Sequence, residues 1–297
     1  MEKEVCDMLE LNNKQFDEER ALYGSDGIIL RGCIFDGPAD GESALKESQN
    51  IESVDCIYNL RYPFWHDKNV QITAGEMTEK CRAAIWYSDA VKISGTIMRG
   101  IKAIRECTNV SLKNCCIVSP EFGWSLHHIR ADNCTLSSEY ALMRSSDLYF
   151  EDDKVEGKYA FQYIENAYFN NCLIDTKDAF WHARNVIVKN SRISGEYLAW
   201  YSDSITFDHC IISGTQPLCY CKNLKLIECR MNDTDLSFEK SDVEATLTAP
   251  IVSIKNPHSG IIHVPDVGQI IMDDPAAKGR IELKPSAHHY LCGQNKR

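Results

Sequence analysis

The feature that most constrains this chain is a spacing. Apolar residues that usually follow an Asn or Asp recur at Ile51, Val70, Val91, Val110, Ile129, Leu148, Ala167, Val186, Ile205, Leu224 and Val243, and every step is 19 residues except one of 21. An earlier anchor falls at Ile28, with a longer step that absorbs the turn-like segment Asp36-Gly37-Pro38-Ala39-Asp40-Gly41. A fixed short period marks a solenoid, in which each repeat buries its apolar face only against its neighbours. Nineteen residues hold three short strands and three turns, whereas a TPR or HEAT unit needs two helices and about 34 residues or more. A leucine-rich repeat of this length would show Leu-x-x-Leu-x-Leu, and that pattern is missing.

Registered on the anchor, the coils form columns. Two residues beyond it stand Leu30, Ile72, Ile93, Leu112, Phe150, Phe169, Val188, Phe207 and Leu226. Seven beyond it stand Phe35, Met77, Met98, Ile117, Leu136, Val155, Ile174, Ile193, Ile212 and Met231. Apolar residues at alternate positions describe pleated strands with one buried face. Asn50, Asn69, Asn109, Asn166, Asn185 and Asn223 share the column before the anchor, and Asn114, Asn133, Asn171 and Asn190 share a second. Asn tolerates the left-handed backbone that a sharp turn needs. Stacked about 4.8 Å apart, such amides also bond to one another. Parallel strands joined by crossovers prefer the right-handed sense. The expected fold is therefore all-β, a single-stranded right-handed parallel β-helix of about 12 coils of 19 residues. Residues 1–18, with Val5, Met8 and Leu9 at helical spacing, are expected to form a short N-terminal capping helix. The helix of coils should occupy 19–250, and 251–297 should hold irregular C-terminal strands and a tail with His288, His289 and Cys292, all in one structural domain.

The strand segments ERALYGS, DGPADGESALKES, LRYPFWH, GIKAIREC, SPEFGW, GKYAFQY, TKDAFWH, GEYLAWYS and GTQPLCYC resemble the repeats of an uncharacterised bacterial family, a domain of unknown function with a pectin-lyase-like β-helix fold. The resemblance covers most of the chain. It implies the fold and brings no activity with it.

Composition narrows the partners. The net charge is −11, with 43 acidic against 32 basic residues, and no segment is basic throughout. Binding to a nucleic-acid backbone has nothing to rest on, and a polyanion is a poor partner. No run approaches the roughly 20 apolar residues of a membrane span. The N-terminus lacks the apolar stretch of a secretory signal. Fourteen cysteines in so long a chain are expected to be reduced thiols in a cytoplasm. Cys33, Cys56, Cys115, Cys134, Cys172, Cys210 and Cys229 all sit five beyond the anchor, where Ser191, Gly75 and Thr96 fill other coils. Small size is their common property, so a packed stack is the expectation. No metal and no cofactor is indicated, because Cys-x-x-Cys pairs and converging histidines are missing.

One strand per coil carries the chemistry. All five tryptophans, Trp65, Trp86, Trp124, Trp181 and Trp200, fall five residues before the anchor, in a column shared with Lys46, Arg105 and Gln162. The column one earlier is apolar, with Leu45, Phe64, Ile85, Ile104, Leu142, Phe161, Phe180 and Leu218. If that neighbour points inward, the indoles point outward; a slip of one residue would exchange the faces. The column one later holds His66, Tyr87, Glu106, Arg144, Tyr163, His182, Tyr201 and Tyr220. Near the start of the same strand, opposite charges stand on adjacent coils: Glu42 with Arg61, Lys102 with Glu121, Glu139 with Lys158, Lys177 with Glu196. These fit a ladder of ion pairs or a row of acid, base and binding groups in a cleft. An outward aromatic row of Trp65, His66, Trp86, Tyr87, Trp124, Trp181, Trp200 and Tyr201 can serve a sugar, giving a carbohydrate-related protein with an oligosaccharide as partner. The alternative is a scaffold that docks a protein or a second copy of itself, as Trp, Tyr and Arg do at interfaces. Arg105, Glu106, Glu121, Glu139, His182 and Glu196 are the candidates for catalysis.

Overall fold

A computed structural model describes residues 8–284, and they form strands and turns with no helix. The chain falls into two compact units, Met1–Phe161 and Gln162–Arg297. Each is a right-handed parallel β-helix, and the turns number about 14 in all rather than a dozen. In the first unit, six-residue strands such as Gln49–Val54, Lys68–Thr73, Asp89–Ser94, Thr108–Lys113 and His127–Asp132 stack in parallel. The anchors pair in register, Ile51 with Val70, Val70 with Val91, Val91 with Val110 and Val110 with Ile129. A second ladder stacks Met77, Met98, Ile117, Leu136 and Val155. A short third ladder joins Phe64–Trp65, Ile85–Trp86 and Ile104–Arg105. In the second unit the strands Glu165–Asn170, Arg184–Lys189 and Asp203–Asp208 pair through Ala167, Val186 and Ile205. Anchors and both apolar columns are buried throughout, as alternation along a one-faced strand dictates.

The turns show why Asn recurs. Asn50, Asn69, Asn109, Asn114, Asn133, Asn166, Asn171, Asn185, Asn190 and Asn223 all have φ between 49 and 56°. Their amides ladder from coil to coil: Asn69 Nδ2 donates to Asn50 Oδ1 at 2.7 Å, Asn133 to Asn114 at 2.8 Å and Asn185 to Asn166 at 2.7 Å. Each such bond nets about 0.5–1.5 kcal/mol.

The thiol column is buried, and no disulfide joins the cysteines among the described residues. Small size is only half of its logic. Several residues there also accept the backbone N–H of the equivalent residue one coil earlier. Cys33 N donates to Cys56 Sγ, Cys115 N to Cys134 Sγ and Cys172 N to Ser191 Oγ. Asp153 takes the same post, accepting from Cys134 N at 2.7 Å, and burial raises its carboxyl to about 7. A second acceptor column, three before the anchor, works alike: Ser25 N donates to Ser48, Ser48 N to Asp67, Asp67 N to Ser88 and Leu126 N to Ser145. There burial pushes Asp67 to about 8. Turns inside a coil leave N–H groups that neither ladder reaches, and buried donors need acceptors.

The ends differ from expectation. Residues 8–18 are not helical: Leu9–Asn12 and Gln15–Phe16 are strands that pair with the next coil, Leu9 opposite Ile28, Leu11 opposite Leu30 and Phe16 opposite Phe35. Their apolar residues stand 19 before those partners, so strand periodicity outweighed the weaker helical spacing. Residues 1–7, with Val5, and the tail from Pro285, with His288, His289 and Cys292, lie outside the described residues. Beyond Pro250 the parallel pairing continues with a changed step. Asp242 pairs with Ser259 and Ile251 with Val267, steps of 17 and 16 residues, before Ile261 pairs with Arg280 at 19 again. Backbone pairing tolerates a shorter turn that a sequence period does not.

Candidate functional site

The aliphatic neighbours of the tryptophans, Leu45, Phe64, Ile85, Ile104, Leu142, Phe161, Phe180 and Leu218, are fully buried. The five indoles therefore lie outside the core, and all are half-buried. They do not offer free ring faces. Trp65 stacks on Trp86 with centroids 5.4 Å apart and planes at 13°, and Trp181 on Trp200 at 5.6 Å and 3°. Lys46 Nζ covers the outer side of the first pair, 4.1 Å from the Trp65 ring, and the Arg105 guanidinium lies 5.4 Å from Trp124. Parallel coils in register stack like residues face to face, so the row shows its edges to solvent. The same column ends in Cys219 and Phe238, both fully buried.

The next column is exposed apart from half-buried Glu106 and Tyr220, and its rings stack as well. His66 lies on Tyr87 at 5.1 Å; Tyr163, His182, Tyr201 and Tyr220 follow one another at 4.9, 5.2 and 4.8 Å. His66, Tyr87, Arg144, Tyr163, His182, Tyr201 and Tyr220 all have left-handed φ, which turns the side chain outward after each tryptophan.

All four expected ion pairs form. Arg61 meets Glu42 at 3.6 Å, Lys102 meets Glu121 at 3.4 Å, Lys158 meets Glu139 at 3.4 Å and Lys177 meets Glu196 at 3.1 Å. Glu106 is held by Arg105 Nε at 2.9 Å. Burial pushes its carboxyl up, but hydrogen bonds from Tyr87 and Arg105 outweigh that and keep it below the usual carboxylate range. Glu106, Glu121, Glu139 and Glu196 are thus each engaged by a cation, and His182 sits between two tyrosine rings. Such an arrangement binds and orders; it brings no pair of unengaged carboxyls together. Among the described residues no group of three or more His, Cys, Asp or Glu side chains is placed to hold a metal, and no helix is long and apolar enough to cross a membrane.

One gap breaks the stacking. Three positions before Trp86 stands Ala83, in register between Tyr62 and Lys102. Where its neighbours carry long side chains, Ala83 leaves a cavity of about 220 Å³ lined by Tyr62, Arg82, Ala83, Trp86, Lys102 and Arg105. Sequence reasoning found Trp86 and Arg105 and missed the cavity. The available signal was a small residue between two large ones in its column, Tyr62 and Lys102. A larger concavity, about 480 Å³, opens by Asp26, Asn50 and Asn69. Its Asn amides are already bonded, Asn50 to Asp26 and Asn69 to Asn50, and it has neither aromatic nor cationic lining, so the smaller cavity is the better candidate.

The family model described as "Protein of unknown function (DUF3737)" matches residues 9–284, and the chain belongs to that family. No curated protein matches it. Among solved structures the chain is similar to the A-module of the Azotobacter vinelandii mannuronan C-5 epimerase AlgE6, at 11% identity and TM-score 0.41, covering 94% of this chain and 90% of that one. The A-module of AlgE4 from the same organism matches at 10% identity and TM-score 0.31, covering 94% and 89%. The plasmid-mediated fluoroquinolone resistance protein QnrB1 matches at 11% and 0.21, covering 76% and 92%. Likenesses this distant say nothing of chemistry.

Proposed function

For this member of a family without assigned activity, we propose carbohydrate binding at the Ala83 cavity. The observation that carries the reading is a gap one side chain deep, walled by Trp86 and Tyr62 and rimmed by Arg82, Lys102 and Arg105. Sugars combine apolar C–H faces with ring hydroxyls, and small-ligand sites pair aromatic walls with a few placed polar groups. At about 220 Å³ the cavity suits one ring or its substituent at a time. The engaged carboxylates around it favour binding over hydrolysis, which needs two carboxyl groups flanking the scissile bond.

Isothermal titration against a panel of neutral and acidic mono- and oligosaccharides tests this. The expected result is saturable heat with at least one sugar, lost in Ala83→Leu, which fills the gap and leaves every charge in place. No heat from any sugar overturns the reading. A second reading concerns the second unit. There Tyr163, His182, Tyr201 and half-buried Tyr220 form a stack exposed over its first three rings, a surface suited to docking a protein or another copy of the chain. Light scattering that finds a concentration-independent monomer removes self-association.

A further inference from the structure

In the ionic row most cations stand beside a carboxylate of a neighbouring coil. Near Ala83 the cations crowd: Arg61 and Arg82 share one column, and Lys102 stands in the next column, opposite Ala83. Arg61 and Arg82 are adjacent in parallel register, since Phe64 pairs with Ile85 and Tyr62 N donates to Arg82 O at 3.1 Å. Like charges facing one another across strands are destabilising. Most of these cations are answered: Arg61 by Asp40 and Glu42, Lys102 by Glu121, Arg105 by Glu106. Arg82 has no carboxylate partner among the described residues. It also lines the cavity, with Trp86 on its own coil and Lys102 and Arg105 on the next. A chain with 43 acids and 32 bases has no shortage of carboxylates to place there.

We infer that the cavity takes an oxyanion, a single carboxylate or phosphate carried by a small ligand, with Arg82 as its principal partner and Lys102 and Arg105 as the flanking donors. The inference rests on the proposed carbohydrate site and names its ligand class: a sugar acid or a sugar phosphate rather than a neutral sugar. Guanidinium groups suit both anions, because their forked N–H groups match paired oxygens. A long polyanion is disfavoured by the net charge of −11, so the ligand carries its charge at one point.

The test titrates the full chain with glucose, glucuronate, glucose 6-phosphate and inorganic phosphate at low and high salt, using wild type, Arg82→Gln and Ala83→Leu. The expected result is binding of glucuronate or glucose 6-phosphate about 10-fold or more tighter than glucose, as a charge-assisted hydrogen bond supplies. That preference should weaken with salt and vanish in Arg82→Gln. The tighter of the two acidic sugars identifies carboxylate or phosphate. In the absence of ligand, Arg82→Gln should melt at or above the wild-type temperature, because it relieves a like-charge contact; a purely structural arginine would lower it. Equal affinity for glucose and its acidic forms overturns the oxyanion and leaves the carbohydrate reading standing. Inorganic phosphate binding that Arg82→Gln abolishes, with no added affinity from the sugar, supports the oxyanion and overturns the carbohydrate. No binding of any of the four overturns the inference.

Discussion

The tripeptide Phe-Trp-His occurs twice, at 64–66 and 180–182, in the same columns of two different coils. In both copies the Phe ring is core, the indole is half-buried and the His is exposed with left-handed φ. The copies differ in the backbone at the Phe. Phe64 lies in a strand, as does Ile85 before Trp86, whereas Phe180 has φ 62° and Ala199 before Trp200 has φ 57°. Where the preceding residue is left-handed, the indole N–H reaches a carbonyl 16 residues on: Trp181 donates to Tyr197 O and Trp200 to Gln216 O, both at 2.7 Å. Where it is extended, Trp65 and Trp86 Nε1 are buried without a hydrogen-bond partner, although the Trp86 N–H still favours the charged form of Glu106. Trp124 shows that the angle decides and not the unit. It follows Gly123, φ 72°, and donates to Tyr140 O at 2.8 Å. Identical side chains in identical columns thus meet opposite fates through one rotation.

The copies also differ one residue later, at Asp67 against Ala183, and here the largest effect is expected. Both Asp67 and Asp153 are neutral when folded at moderate pH, with carboxyls raised to about 8 and about 7 by burial. The unfolded chain binds fewer protons between those values and the ordinary carboxyl range. The contribution is therefore complete below about pH 4 and is lost as pH rises, falling about 1.4 kcal/mol per pH unit for each group until its folded value is passed. Urea unfolding across pH 5–9 should show this slope, and Asp67→Asn, which keeps an acceptor for Ser48 N, should be shallower and more stable than wild type at pH 9. Parallel profiles would remove the buried-carboxyl account.

The indole contrast gives a smaller effect. Trp181→Phe and Trp200→Phe strand a carbonyl and should cost about 1 kcal/mol more than Trp65→Phe, which removes a donor that had no partner. Equal losses in denaturant midpoints would show that the N–H is solvated in both copies. Smallest is the charge pair of contrasts. Lys177→Gln removes a partner of Glu196 and should destabilise by about 0–1 kcal/mol, while Arg82→Gln should be neutral or stabilising. The same sign for both would break the distinction between a cation paired across coils and an unpaired one beside a like charge.

Much of this was legible before any coordinates. Anchor, strand and Asn columns follow from a period that each coil repeats, and all four ion pairs were readable because adjacent coils place equivalent residues side by side. The first coil was legible too, since Leu9, Leu11 and Phe16 stand one period before Ile28, Leu30 and Phe35; helical spacing in the same segment obscured it. The acceptor role of Ser48, Asp67 and Ser88 was not legible, because it depends on where turn N–H groups point. The Ala83 cavity also needed the structure. An alanine becomes a gap only once Tyr62 and Lys102 are known to flank it.

The sequence alone determined the stacking: a 19-residue period in apolar and Asn positions allows no other way to bury one face of every short strand. Tertiary structure alone decided what the aromatic row presents. Ring faces meet because coils stack in register, and each indole N–H is satisfied or not by the φ of the residue before it, an angle that Phe64 and Phe180, the same amino acid, adopt differently.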